Sequence, residues 1–203
     1  MKISPTLTEV KEIAKTGKYD ILPVSCEILS DFITPIEAMR ILQNVSTHCY
    51  LLESAQANEA WGRYTFLGYD PKLEINCIDG HMKLGKLSVE TENPSEYIRQ
   101  ILSEYKSPKF DYLPSFTGGL VGYFSYDYLG YKEKSIRGKA RDTEDFKDVD
   151  LMLFDKVIAF DNLCQKIILI ANMSLDAPET GYNKAIVELK QLRELLMLSL
   201  IHI

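Results

Sequence analysis

A carboxylate, a hydroxyl and a guanidinium stand at the edges of two apolar runs: Leu51-Leu52-Glu53-Ser54-Ala55, then Trp61-Gly62-Arg63-Tyr64-Thr65-Phe66-Leu67-Gly68. The trio suits an amino-acid ligand. Glu53 accepts from an α-ammonium, the Ser54 hydroxyl adds a second hydrogen bond, and Arg63 pairs with a carboxylate. Taken alone, the same residues fit an exposed strand end better. Successive strand side chains point to opposite faces, so Glu53 and Ser54 reach one ligand together only if the strand stops there or one of them uses its backbone. The strand is expected to stop.

A second stretch, Phe116-Thr117-Gly118-Gly119-Leu120-Val121-Gly122-Tyr123-Phe124-Ser125-Tyr126-Asp127, combines glycines with an aromatic, strand-like run. A phosphate loop needs its glycines to open a helix, with a Lys at the P-loop position, and neither occurs here. Glycines inside a strand point instead to a bulge or to close approach of another backbone, so Gly118 and Gly119 read as packing residues. The four cysteines, Cys26, Cys49, Cys77 and Cys164, lie far apart in apolar or strand-like surroundings and read as reduced, mostly buried thiols. His48, His81 and His202 show no spacing that puts two on one face, so they read as structural, and no metal site is expected.

The elements that must position these residues are legible at the helix starts. Thr34-Pro35-Ile36-Glu37 places Thr at an N-cap, Pro at the first helical position and Glu three residues on, predicting a helix to about Asn44. Asn93-Pro94-Ser95-Glu96 repeats that order ahead of an apolar stripe of Tyr97, Ile98, Ile101, Leu102 and Tyr105. Thr6 with Glu9 makes a weaker capping box for a short helix that Gly17 ends. Ile186, Leu189, Leu192 and Leu196 form a stripe on a helix beginning after Pro178.

Between the helices, Asp79-Gly80 separates strands over 72–78 and 81–84 and is a strong hairpin signal, since both turn residues tolerate positive φ. Apolar runs over 151–160 and 166–171 predict a second hairpin, and strands over 48–53, 64–69 and 120–128 complete the set. Short links favour antiparallel pairing. The charged stretch 130–148 reads as a surface loop. The fold class is α+β, with antiparallel β-sheets packed face to face and flanked by helices.

Composition narrows the function. The 203 residues carry 46% hydrophobic and 26% charged side chains, enough for an ordinary core and too apolar for disorder. The formal charge is −6 and no stripe of Lys and Arg tracks phosphates, which argues against nucleic acid. There is no apolar leader behind Met1 and no run long enough to cross a bilayer, so a cytoplasmic protein that does not bind membranes is expected.

Several of these motifs occur together and in order: residues 23–31 ahead of Thr34-Pro35, then Leu51-Leu52-Glu53-Ser54, then 62–68, then Gly118-Gly119-Leu120-Val121-Gly122-Tyr123, then 150–161. In that order they resemble anthranilate synthase component I, one of the chorismate-utilising enzymes. The resemblance implies an incomplete part of an α/β/β/α fold: residues 1–176 as the N-terminal domain and 177–197 as a helix leading toward a catalytic portion that is not in this chain. Residues 198–203 read as a non-native tail, similar to one reading frame of a transposon-end adapter.

It further implies that Ser54 contacts L-tryptophan as a feedback inhibitor, with Glu53 as its acidic neighbour and Arg63 as support for the pocket. No catalytic residue and no cofactor is expected in this chain. Mg2+ and the chemistry belong to the C-terminal portion, which turns chorismate and ammonia into anthranilate and pyruvate, with a glutamine amidotransferase subunit (component II) as partner. Two rivals stay open. Aminodeoxychorismate synthase component I shares several of these motifs, and the chain also fits a stand-alone amino-acid-binding module.

Overall fold

The computed structural model describes residues 1–53, 62–133, 135 and 146–197. They fall into two compact units: the described residues of Met1–Asp70, Tyr105–Gly118 and Asp155–Ile203 form the first, and those of Pro71–Glu104 and Gly119–Phe154 the second. The expected surface loop over 130–148 lies largely outside the described residues, as does the tail over 198–203.

The first unit is a six-stranded antiparallel sheet built from β1 (Ile3–Ser4), β2 (Ile21–Leu29), β3 (Cys49–Leu52), β4 (Tyr64–Tyr69), β10 (Lys156–Asp161) and β11 (Lys166–Ser174). Their order across the sheet is β1-β2-β11-β10-β4-β3. Helices α1 (Leu7–Lys15), α2 (Pro35–Gln43) and α4 (Pro178–Met197) belong to the same unit. The capping boxes expected at α1 and α2 both form. Thr6 N–H donates to Glu9 Oε2 at 2.6 Å and Thr34 N–H to Glu37 Oε2 at 2.9 Å, while each threonine hydroxyl accepts the glutamate N–H in return. Gly17 takes φ +62° just past α1, a conformation that suits glycine. On α4, Tyr182, Ala185, Leu189, Leu192 and Leu196 are buried and Ile186 sits at the margin of the stripe.

The side chains of this sheet feed two apolar clusters. Leu22, Val24, Leu67, Ile158, Phe160, Ile167 and Leu169 meet Val10, Ala38, Leu42 and the α4 stripe on one face. Val157, Ala159, Ile168 and Ile170 meet Leu113, Phe110 and Phe116 on the other. Strand β2 lies outside the strands that the sequence predicts, and Pro23 within it cannot donate to a ladder. It pairs with β11 over its whole length, from Ile21↔Ser174 to Leu29↔Lys166. The chain tolerates the proline because β1 covers only Ser25 and Cys26 on the other edge.

The second unit is a five-stranded antiparallel sheet in the order β7-β6-β5-β9-β8, with β5 Leu73–Ile78, β6 His81–Leu84, β7 Leu87–Glu90, β8 Gly119–Phe124 and β9 Val149–Phe154. Asp79 (φ 49°) and Gly80 (φ 84°) make the expected tight turn. Its core joins Ile75, Cys77, Met82, Val149 and Leu151 to Ile98 of α3 (Pro94–Ser103). A polar tie holds the turn: Tyr131 Oη donates to Asp148 Oδ2 at 2.6 Å and accepts from Gly80 N–H at 2.7 Å, and Asp79 N–H donates to the same carboxylate at 2.8 Å.

Three expectations need correction. The apolar run over 151–160 is not one strand: it belongs to β9 of the second sheet and β10 of the first, with Asp155 between them. The strand expected over 120–128 stops at Phe124, because the Ser125 hydroxyl accepts Tyr128 N–H at 3.2 Å and opens a 3-10 turn over Tyr126–Tyr131. Asn93 does not cap α3. Its ψ of 76° departs from the 159° of the capping Thr6 and Thr34, and its side chain bonds neighbouring side chains instead, with Nδ2 donating to Glu96 Oε1 and Oδ1 accepting from Ser95 Oγ, both at 2.7 Å.

All four cysteines are free thiols. Cys26 and Cys77 are buried and Cys49 partly so, but Cys164 is exposed at the turn between β10 and β11. Burial pushes the Cys26 thiol up to about 11.

Candidate functional site

Strand β3 ends at Leu52, so Glu53 is the first residue of the connection to β4 and lies exposed. The stop expected from the sequence is therefore present. Ser54 lies outside the described residues. Leu52 pairs with Phe66 across the sheet, which brings the two ends of the β3–β4 connection to the same end of the sheet.

Arg63, near the far end of that connection, does not present an open guanidinium. Its Nε donates to Asp161 Oδ1 at 3.1 Å and its Nη2 to Oδ2 at 2.7 Å, a two-pronged pair, and Nη2 also reaches Cys164 Sγ at 3.6 Å. The guanidinium carbon lies 4.9 Å from the centre of the Tyr64 ring. The Asp161 side chain is fully buried, whereas that of Arg63 is 37% exposed. Asp161 also accepts the backbone N–H groups of Leu163 at 3.2 Å and Cys164 at 3.0 Å.

These contacts fix the charge state of the pair. Burial pushes the Asp161 carboxyl up, but the hydrogen bonds from Arg63 and from the Cys164 backbone outweigh it and bring the group down to about 2. The hydrogen bond to Asp161 raises the Arg63 guanidinium further above its ordinary range.

Asn162 completes the arrangement. Its N–H donates to the Arg63 carbonyl at 2.9 Å, and its Nδ2 reaches Thr65 Oγ1 at 3.3 Å and the Gly62 carbonyl at 3.5 Å. In the sequence Asp161 and Asn162 read only as residues of the turn between two apolar runs. Their only local signal is an Asp-Asn pair at a hairpin, and the partner arginine lies 98 positions away.

Gly122 and Gly68 are packing glycines. A Cβ on Gly122 would sit 2.0 Å from the Asp150 carbonyl oxygen, and one on Gly68 would sit 2.2 Å from Tyr50 Cε1. Phe116 meets Tyr50 and Phe66 edge-on, with ring centres 6.4 and 5.6 Å apart. Among the described residues no group of three or more His, Cys, Asp or Glu is placed to hold a metal ion, and no helix is long and apolar enough to cross a membrane.

No family model matches the chain. Curated proteins do. Anthranilate synthase component 1 of Acetivibrio thermocellus is 34% identical over 198 residues, covering 95% of this chain and 39% of that protein. The protein of the same name from Pseudomonas aeruginosa is 36% identical over 194 residues, covering 92% of this chain and 38% of that protein. A crystal structure of anthranilate synthase component I from Streptococcus pneumoniae TIGR4 superposes with a TM-score of 0.52 at 25% identity, covering 82% of this chain and 36% of that one. The chain thus spans well under half the length of the relatives it matches. Over that span it is similar to anthranilate synthase component I proteins.

Proposed function

We propose that this chain is the N-terminal, tryptophan-binding portion of an anthranilate synthase component I. The observation that carries the reading is the identity to such proteins across nearly its whole length, against little more than a third of theirs. The full-length cytoplasmic enzyme converts chorismate and ammonia to anthranilate and pyruvate, and a glutamine amidotransferase subunit delivers the ammonia. In this reading Mg2+ and the chemical steps belong to the portion of such enzymes that this span does not match, and the isolated chain is inactive.

The ligand site in this reading is the start of the β3–β4 connection. Glu53, freed from the ladder at the end of β3, accepts from the α-ammonium of L-tryptophan, and the Ser54 hydroxyl supplies a second hydrogen bond. Arg63 is engaged by Asp161 and supports the connection rather than the ligand carboxylate. Inhibition requires that tryptophan bind more tightly to a conformation in which the distant chorismate site is poorly assembled, since equal affinity for both conformations would shift nothing.

Replacing Ser54 with Phe in the full-length enzyme tests this. Tryptophan inhibition should weaken by at least about tenfold, the cost of filling the space beside a bound ligand, with uninhibited turnover retained. Unchanged inhibition removes the site. Identifying the product as 2-aminobenzoate rather than 4-amino-4-deoxychorismate checks the reaction.

A further inference from the structure

We propose that the cleft between α1 and the segment 110–112 binds a small organic ammonium that carries no carboxylate: Glu9 and Glu12 draw the cation, and the rings of Phe110 and Tyr112 hold its apolar body. The site shares no residue with the one assigned to tryptophan, and neither reading depends on the other.

The cleft lies within the first unit and measures about 460 Å3, a volume in the range of small-molecule sites. One wall is α1, fixed at its start by the Thr6 capping box and by Tyr182 Oη, which donates to the Pro5 carbonyl at 2.9 Å. In the other wall, Leu113 N–H donates to the Phe110 carbonyl at 3.0 Å and closes a turn that carries both rings. Phe110 and Tyr112 stack with centres 5.1 Å apart and planes 25° apart. With Pro5 and Ile13 they make the lining mostly apolar.

Charge decides what fits there. The only charged side chains that line the cleft are the two carboxylates, with no Lys or Arg beside them. They are not equivalent. Glu9 spends Oε2 on the Thr6 N–H and hydroxyl, at 2.6 and 2.8 Å, and sits in the first turn, where the helix start already favours a negative charge. Glu12, one turn on, makes no hydrogen bond or ion pair with a described residue, and Lys11 next to it is engaged by Glu179. Tyr112 stays 45% exposed despite the stack. Burial, with the Glu9 carboxylate adding to it, pushes its hydroxyl up to about 12, so the ring is neutral and offers an electron-rich face.

A cation beside Glu12 and over that face gains from both. An amino-acid zwitterion brings its own carboxylate against Glu9 and Glu12 with nothing to receive it, and an uncharged ligand of the same shape keeps only the apolar contact. The cleft therefore selects amines over amino acids.

The test titrates the 203-residue chain with tryptamine, L-tryptophan and 3-ethylindole, which share a ring system and differ in charge, and follows the backbone amides of Glu12, Ile13 and Tyr112 by NMR. Tryptamine should shift these amides saturably with a Kd on the order of 1 mM, since a cation–π contact and an exposed ion pair each add only a few-fold. The other two should bind there at least about tenfold more weakly. Glu12→Gln should weaken tryptamine about threefold to fivefold, Glu9→Gln should weaken it less and keeps the capping box, and Tyr112→Leu should weaken it about twofold to fivefold. Added salt should weaken tryptamine but not 3-ethylindole.

Tryptamine that leaves the three amides unmoved overturns the proposal, and so does L-tryptophan that shifts them with equal affinity. If Tyr112→Leu does not fold, Glu12→Gln decides, because Glu12 is an exposed helix residue whose replacement the fold tolerates. Tryptamine affinity unchanged in that variant refutes the site.

Discussion

In the first unit, β10 and β11 are buried at nearly every position, whereas β5 and β6 of the second unit alternate between buried and exposed residues. The first sheet places apolar clusters on both faces, one joined by three helices and one by Phe110, Leu113 and Phe116. The second sheet gathers its buried side chains into one cluster around Ile75, Cys77 and Met82. Where one face carries the core, a one-residue slip would turn that core to solvent, so the alternation itself specifies the register; where both faces are apolar, the slip exchanges one apolar set for the other and register rests on how the side chains fit. Turn chemistry adds to the alternation. The second unit supplies it with Asp79-Gly80, tied by Asp148 and Tyr131.

The comparison breaks most directly by truncating neighbours along a strand. Ile168 and Leu169 adjoin in β11 but enter different clusters, so Ile168→Ala and Leu169→Ala should each cost roughly 2–5 kcal/mol by urea unfolding. In β6, Met82→Ala should cost a similar amount, but Lys83→Ala, on the exposed face, should stay within about 0.5 kcal/mol. A tolerant Ile168 would mean that the second face of the first sheet contributes little.

The difference also explains what could be read from the chain alone. Alternation and turn residues announce a one-faced sheet, and β5, β6 and their turn were found that way. Continuous apolar runs announce burial but not where a strand changes sheets, so β9 and β10 merged across Asp155, a single residue with no Gly or Pro beside it. Strand β2 was hidden by Pro23, whose tolerance depends on how far β1 extends, a matter of partners and not of local sequence. The candidate site divides the same way. The end of β3 at Glu53 was legible from the change in polarity, while the engagement of Arg63 by Asp161 was not, because only the fold brings those positions together.

The polar ties of the first unit respond to pH. The carboxyl of Asp161 is held at about 2, below its ordinary value of 3.8. A lowered folded-state value means that the group's stabilisation is complete above about pH 4 and fades as pH falls toward about 2, where the folded form must also take up a proton. With Arg63 partly open to solvent, the difference amounts to roughly 1–2 kcal/mol. Asn at this position does not titrate, so the stability of D161N should fall less steeply than that of the parent between pH 4 and pH 2 in urea titrations. Parallel curves would show that the pair adds no net stabilisation to the first unit.

The smallest expected effect contrasts two helix starts that look alike in sequence. In α2 the Thr34 hydroxyl accepts the Glu37 N–H while Glu37 accepts from the Thr34 N–H, so Thr34→Ala leaves the Glu37 N–H without its partner and should cost about 1 kcal/mol. In α3 the Asn93 side chain bonds only to Ser95 and Glu96 side chains at the surface. Removing it strands no backbone group of the helix, and Asn93→Ala should cost less than about 0.5 kcal/mol. Circular dichroism melts of the two variants measure the gap. Equal losses would mean that Asn93 caps α3 in solution despite its ψ of 76°, and that the two units start their helices by the same device.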